Sequence, residues 1–189
     1  MKNKIKIGID LDDTIVSFYK EFINFCKERY EVELDALALS KDFFNSFGSK
    51  EKTKRVLKEF VDEGKHYESN VFKDFKKVFN DLERKFQIYF ITSRSYDLRG
   101  RTKKFLEAEL GRENLNINYI HDYPEKTKSF FCKKEGINIL IDDHIPNIIE
   151  ASSKGIKVFV FDQPWNRDIK EGENIIRVKN WEEVLEKLN

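Results

Sequence analysis

IKIGIDLDDTIV, residues 5 to 16, sets a short apolar run directly before three carboxylates. The run from Ile5 to Ile9 suits a buried parallel strand. Asp10 and Asp12 then emerge at its carboxyl end on the same side of an extended backbone, because side chains repeat every second residue. Two carboxylates at roughly 4 Å and an effective dielectric near 20 repel by about 4 kcal/mol, equivalent to roughly three pKa units. A bound cation, most simply Mg²⁺, removes that cost.

Working outward, further apolar runs follow at Gln87 to Thr92, Asn116 to Ile120, Asn138 to Ile141, Lys157 to Phe161 and, more weakly, Asn174 to Val178. Helix-period apolar residues lie between them, at Leu98, Phe105, Leu106 and Leu110, at Phe130 and Phe131, at Ile145, Ile148 and Ile149, and at Trp181, Val184, Leu185 and Leu188. This alternation predicts an α/β fold, a Rossmann-like parallel sheet with helices on both faces.

The interval from Ser17 to His66 breaks the alternation and carries no strand pattern. It reads as a small inserted helical cap, residues 17–66, between the core segments 1–16 and 67–189. Phe18, Phe22, Phe25, Cys26 and Tyr30 follow helical spacing, as do Val56, Leu57, Phe60 and Val61. Ser40 is placed to cap a short helix bearing Phe43, Phe44 and Phe47. Val71, Phe75, Val78, Phe79 and Leu82 form a further core-facing helix.

Composition bounds the partners. Among 189 residues, 35 Lys and Arg balance 34 Asp and Glu, for a net charge of +1. Nothing pulls the whole molecule toward nucleic acid or a membrane surface, so anion binding must be local. The longest apolar runs fall far short of the ~20 residues that span a bilayer, and the first residues lack an export signal's apolar stretch. Cys26 and Cys132 lie far apart in apolar helical stretches and read as reduced core thiols, which fits a cytoplasmic location. His66, His121 and His144 lack metal-ligand spacing and read as surface or capping residues.

Four chemical features fall at successive strand ends, where open parallel sheets place their ligands. They are Asp10 with Asp12, Thr92-Ser93-Arg94, a lysine at Lys126 or Lys128, and Asp142-Asp143. Lys128 opens the pattern KSFFCKKEGINILIDD and is preferred over Lys126. A lone Asp after a strand usually caps or turns the chain, and it is the ordered set that argues for chemistry. Asp13 reads as a capping or supporting residue and Thr14 as a local turn residue. Asp143 either orients the metal site or caps the helix beginning near Pro146.

The order resembles the haloacid dehalogenase superfamily of phosphohydrolases. The segments ITSR, LIDD and FDQPWNR look like its 5'-nucleotidase group, which includes the 5'(3')-deoxyribonucleotidases. The resemblance implies Asp10 as the nucleophile forming an aspartyl-phosphate, Asp12 as general acid and base, and Thr92 and Lys128 as phosphate-holding catalytic groups. It implies Mg²⁺ held by Asp10, Asp12 through its carbonyl, and Asp142, with Asp143 beside them. A small phosphorylated substrate would meet Ser93, Arg94 and Lys126, with Arg94 gripping either phosphate or a carboxylate of the cap. Trp165, Asn166 and Arg167 would hold the site closed, and Phe18 would stack on a base. The first motif departs from the DxDG of better-known deoxyribonucleotidases, because Thr14 follows Asp13. The substrate expected is a nucleoside monophosphate, with a sugar phosphate or another small phosphomonoester as the alternative. A phosphorelay receiver would place its acidic pair first rather than last. A non-catalytic scaffold would keep costly clustered charge without use.

Overall fold

The expected apolar runs become the six strands of one sheet: β1 (Ile5–Ile9), β2 (Phe86–Thr92), β3 (Ile117–Tyr119), β4 (Ile139–Asp142), β5 (Lys157–Phe161) and β6 (Ile175–Val178). The computed structural model describes residues 4–35 and 46–188. Every neighbouring pair is parallel, in the order β3-β2-β1-β4-β5-β6. β1 is central, with Ile7 in register with Ile88 of β2 on one side and Ile139 of β4 on the other. Gly8 suits that crowded place: a Cβ there would lie 2.6 Å from Ile91 Cδ1 and 3.3 Å from Leu140 Cδ1.

Seven α-helices lie among the described residues: α1 (Tyr19–Tyr30), α2 (Lys50–Asp62), α3 (Lys73–Lys85), α4 (Arg99–Leu110), α5 (Lys128–Glu135), α6 (Ile145–Ser153) and α7 (Trp181–Leu188). Alternation along β2 shows how the two faces of the sheet are covered. Tyr89 and Ile91 join a cluster with Phe131 and Cys132 of α5 and Ile148 and Ala151 of α6. Phe90 points the other way, toward the rings of Phe75 and Phe79 on α3, and Phe75 packs edge-on to Trp181 of α7 with centroids 4.5 Å apart. None of the described helices is long and apolar enough to cross a membrane.

Two compact units divide the chain, Val16–Asn70 and the sheet-bearing remainder. Within Val16–Asn70, α1 and α2 share an aromatic cluster in which Phe60 meets Phe22 at 5.3 Å and Phe25 at 5.4 Å. The Ser49 hydroxyl caps α2 by accepting from the Lys52 amide. Ser69 Oγ donates to the Ser17 carbonyl and ties the ends of the unit together. His66 is buried here, not at the surface as its sequence context suggested; its ring lies against Tyr67 and Phe60. Ser40, Phe43 and Phe44 fall outside the described residues, while Phe47 packs on the Tyr30 ring. Cys26 and Cys132 are buried free thiols, both pushed up to about 12 by burial.

Candidate active site

The chain runs outward from β1 through β2 to β3 and then returns to β4 on the other side of β1, so the β1/β4 boundary is the topological switch point. Asp10 and Asp142 stand on either side of it. The Asp10 amide donates to the Ile141 carbonyl at 3.0 Å, which extends the ladder by one residue and brings the two carboxylates to the same edge. α5 supplies the cation between them. It starts because Thr127 accepts from the Phe130 amide, and it ends at Gly136, whose left-handed φ of 69° closes the last turn. That start makes Lys128 its first residue, with Nζ 2.6 Å from Asp10 Oδ1 and 2.7 Å from Asp142 Oδ2. Lys126 is exposed, with φ of 52°.

The remaining oxygens are held unequally. Asp142 also accepts from the His144 amide and from Asn147 Nδ2, which reaches both of its oxygens at 3.2 Å. Asp143 accepts from Thr14 Oγ1 at 3.2 Å and Trp165 Nε1 at 2.9 Å. Thr14 is therefore a long-range partner as well as a turn residue, because the loop after β1 folds back toward β4. His144 takes the N-cap position of α6, which leaves Asp143 turned into the site. Asp10 Oδ2, by contrast, accepts no hydrogen bond among the described residues, and the Asp10 side chain keeps 10% of its surface open.

Asp10, Asp142 and Asp143 offer carboxylate oxygens all within 4.8 Å of one another. One buried ammonium faces three buried carboxylates, so negative charge is in excess. Burial first, then the charges of Asp142 and Asp12, push Asp10 up to about 7 against the opposing pull of Lys128. Burial and the charges of Asp10 and Asp142 likewise push Asp143 well above the usual carboxylate range. Burial disfavours the Lys128 ammonium, but Asp10 and Asp142 override it and raise its pKa. A compact all-oxygen set with excess negative charge fits a hard divalent cation such as Mg²⁺.

Asp12 goes elsewhere. Both its oxygens are gripped by Arg94, Nη2 to Oδ1 at 2.6 Å and Nε to Oδ2 at 3.0 Å, while Arg94 Nη1 donates to Thr102 on α4. The carboxylate that Arg94 grips thus belongs to the strand-end loop of the core rather than to the cap. Thr92 is fully buried, and its hydroxyl accepts from the Arg94 amide at 3.1 Å. Ser93 is exposed, with its carbonyl 3.1 Å from His121 Nε2. Phe18 stands at the start of α1, half-buried against the Tyr19 and Phe60 rings.

In the loop after β5, Trp165 and Asn166 are buried and turned toward Asp143, whereas Arg167 is exposed. The guanidinium bonded to this loop is that of Arg177 on β6. Sequence reasoning missed Arg177, although a charge inside the apolar strand IIRV was a signal. It also missed Asn147, one helical turn after the acidic pair, and Gln163, whose Nε2 donates to the Asp13 carbonyl at 2.6 Å.

Comparison with known proteins gives the family and the fold. Residues 3–188 match the family described as 5' nucleotidase, deoxy (pyrimidine), cytosolic type C protein. A curated nucleotidase of Clostridium acetobutylicum is 30% identical over 193 residues, covering 96% of this chain and 92% of its own. Among solved structures, a haloacid dehalogenase-like family hydrolase from Streptococcus pneumoniae superposes with a TM-score of 0.66 at 18% identity, with all of both chains covered. YfnB of Bacillus subtilis, assigned to the same hydrolases and solved bound to magnesium, gives 0.62 at 17% identity, again with all of both chains covered. The fold is that of the haloacid dehalogenase-type hydrolases, and the family match with the curated nucleotidase makes the chain a phosphoric monoester hydrolase. Within that class, the chain belongs to the cytosolic type C 5'-nucleotidase family.

Proposed function

We propose that the protein hydrolyses nucleoside monophosphates through an aspartyl-phosphate on Asp10. The observation that carries this reading is the unequal treatment of the Asp10 oxygens. Lys128 holds Oδ1, which fixes the carboxylate, and Oδ2, which accepts no hydrogen bond among the described residues, is available to phosphorus. Oδ2 attacks the phosphorus, the bond to the ester oxygen breaks, and the departing alkoxide takes a proton from Asp12. Water then attacks the phosphorus of the acyl phosphate and gives its proton to Asp12, and the bond to Asp10 breaks to release phosphate.

Arg94 holds Asp12 between these duties, in a bidentate fork that defines its orientation. Thr92 and the Ser93 amide are assigned to the phosphate, with the Arg94 amide orienting the Thr92 hydroxyl, and Lys128 supplies the fixed positive charge. Asp10, Asp142 and Asp143, with the Asp12 carbonyl, would hold Mg²⁺, which when bound neutralises charge on the phosphoryl oxygens. Phe18 is assigned to the base, on the strength of the family membership. Trp165 and Asn166 serve Asp143 rather than the substrate, and Lys126 and Arg167 are left as peripheral groups that an anion meets on approach. The buried thiols are in keeping with a reducing, cytoplasmic compartment.

The test is phosphate release, with Mg²⁺ present, from ribo- and deoxyribonucleoside monophosphates and from sugar phosphates. Nucleotides should give the higher kcat/KM, and Asp10→Asn should lower turnover at least about 10⁴-fold. Preference for sugar phosphates would overturn the substrate, and full activity of Asp10→Asn would overturn the nucleophile.

A further inference from the structure

We infer that the loop from Gln163 to Ile169, anchored by Arg177, is a positioning device for Asp143 that sets the affinity for the divalent cation. The inference rests on the assignment of the acidic cluster as a metal site. Asp143 follows the end of β4, and its main chain and side chain are held from the same direction. Asn166, fully buried, donates from Nδ2 to the Asp143 carbonyl and to the Phe161 carbonyl, both at 2.9 Å, which joins the ends of β4 and β5. Trp165 adds the bond from its indole nitrogen to Asp143 Oδ2.

These two residues occupy one short turn, Pro164–Asn166, closed by reciprocal bonds between Gln163 and Asn166. A turn this short has little structure of its own, and Arg177 is what anchors it. Its Nη1 donates to Asp162 Oδ1 at 2.6 Å and Asn166 Oδ1 at 2.8 Å, and its Nη2 donates to the carbonyls of Asn166 at 2.9 Å and Ile169 at 2.8 Å. The planar guanidinium satisfies four acceptors at once, which an ammonium with three donors cannot do. Asn166 is also oriented by this contact: with its oxygen occupied by Arg177, its amide nitrogen must face Asp143. The connection runs from an edge strand through a turn to a carboxylate of the cluster, and Arg177 itself touches none of the three clustered carboxylates. Groups that orient a metal-bound carboxylate commonly change metal affinity by 10- to 100-fold when removed.

The experiment is calorimetric titration of Mg²⁺ into substrate-free wild type, Arg177→Gln, Arg177→Lys and Trp165→Phe, with Mg²⁺-dependent turnover alongside. We expect Arg177→Gln to weaken Mg²⁺ binding about tenfold while kcat at saturating Mg²⁺ stays within twofold, with Arg177→Lys intermediate. Trp165→Phe removes a single N–H from Asp143 and should weaken binding several-fold; it carries the test if Arg177→Gln does not fold. Wild-type dissociation constants in folded Arg177→Gln or in Trp165→Phe would overturn the inference and leave the metal site standing. Absence of Mg²⁺ binding by the wild type would instead overturn the metal site itself.

Discussion

Val16–Asn70 and the sheet-bearing unit both carry exposed ion pairs, but among the described residues the sheet-bearing unit also buries charge. Among the described residues of Val16–Asn70 the interior is built largely of rings, and the ion pairs lie at the surface. Lys27 and Glu33 are 65% and 83% exposed, and Lys58 and Asp62 are 74% and 59% exposed. In the other unit, Lys128 is 1% exposed between Asp10 and Asp142, and Arg94 is 4% exposed on Asp12. Exposed pairs contribute little to stability, because water screens them and two long side chains must be ordered. Buried pairs lose hydration that their attraction only partly restores, so apolar replacement is often neutral or better. The difference teaches that a helical unit of this size can be held together mainly by apolar burial, without a buried ion pair among its described residues. Among the described residues, the buried carboxylates Asp10, Asp142 and Asp143 lie at or just after the carboxyl ends of β1 and β4, and Lys128 reaches them from the start of α5.

The contrast breaks first at Lys128. Lys128→Met leaves Asp10 and Asp142 buried without their counter-ion and should cost about 4 kcal/mol in urea denaturation, less at saturating Mg²⁺. Lys126→Ala should stay within about 0.5 kcal/mol of wild type. Equal effects at the two lysines would abolish the distinction that the geometry draws between them.

A smaller effect sharpens the contrast through pH. Because Asp10 is pushed up to about 7 from an ordinary 3.8, the folded protein keeps a proton that the unfolded chain has already released across that interval. Stability must therefore fall as pH rises from about 4 to about 7, by at most about 1.4 kcal/mol per pH unit from this group. Denaturation in EDTA should show the wild type losing stability relative to Asp10→Asn over that window. A flat or rising difference would mean that the carboxylate is already compensated without a cation. At the far end of the scale, Lys58→Ala in α2 should change stability by less than about 0.5 kcal/mol. A loss above about 1 kcal/mol there would show that the surface pairs of Val16–Asn70 matter more than their exposure implies.

Much of this was legible in the chain itself. Most of the strands were readable because a strand covered on both faces is apolar along most of its length, and Ile7–Ile9, Ile88–Ile91 and Val158–Phe161 meet that demand without long-range information. Asp10, Thr92 and Asp142 were readable as candidates because each ends or directly follows such a run, and Lys128 because it opens the helix before the last of them. Partners were harder to read. Thr14 looked like a turn residue, yet its hydroxyl reaches Asp143, 129 positions away. His66 looked like a surface residue, yet the aromatic cluster encloses it.

The amino-acid order alone determined the sheet, the helices that cover it and the strand ends where chemistry gathers, since hydrophobic periodicity is a local property. Tertiary structure decided that Asp12 lies in the fork of Arg94 and that Arg177 anchors the loop bonded to Asp143. Those outcomes depend on which polar groups meet once distant loops converge. A hydrogen bond is directional and short, so no spacing along the chain could have specified them.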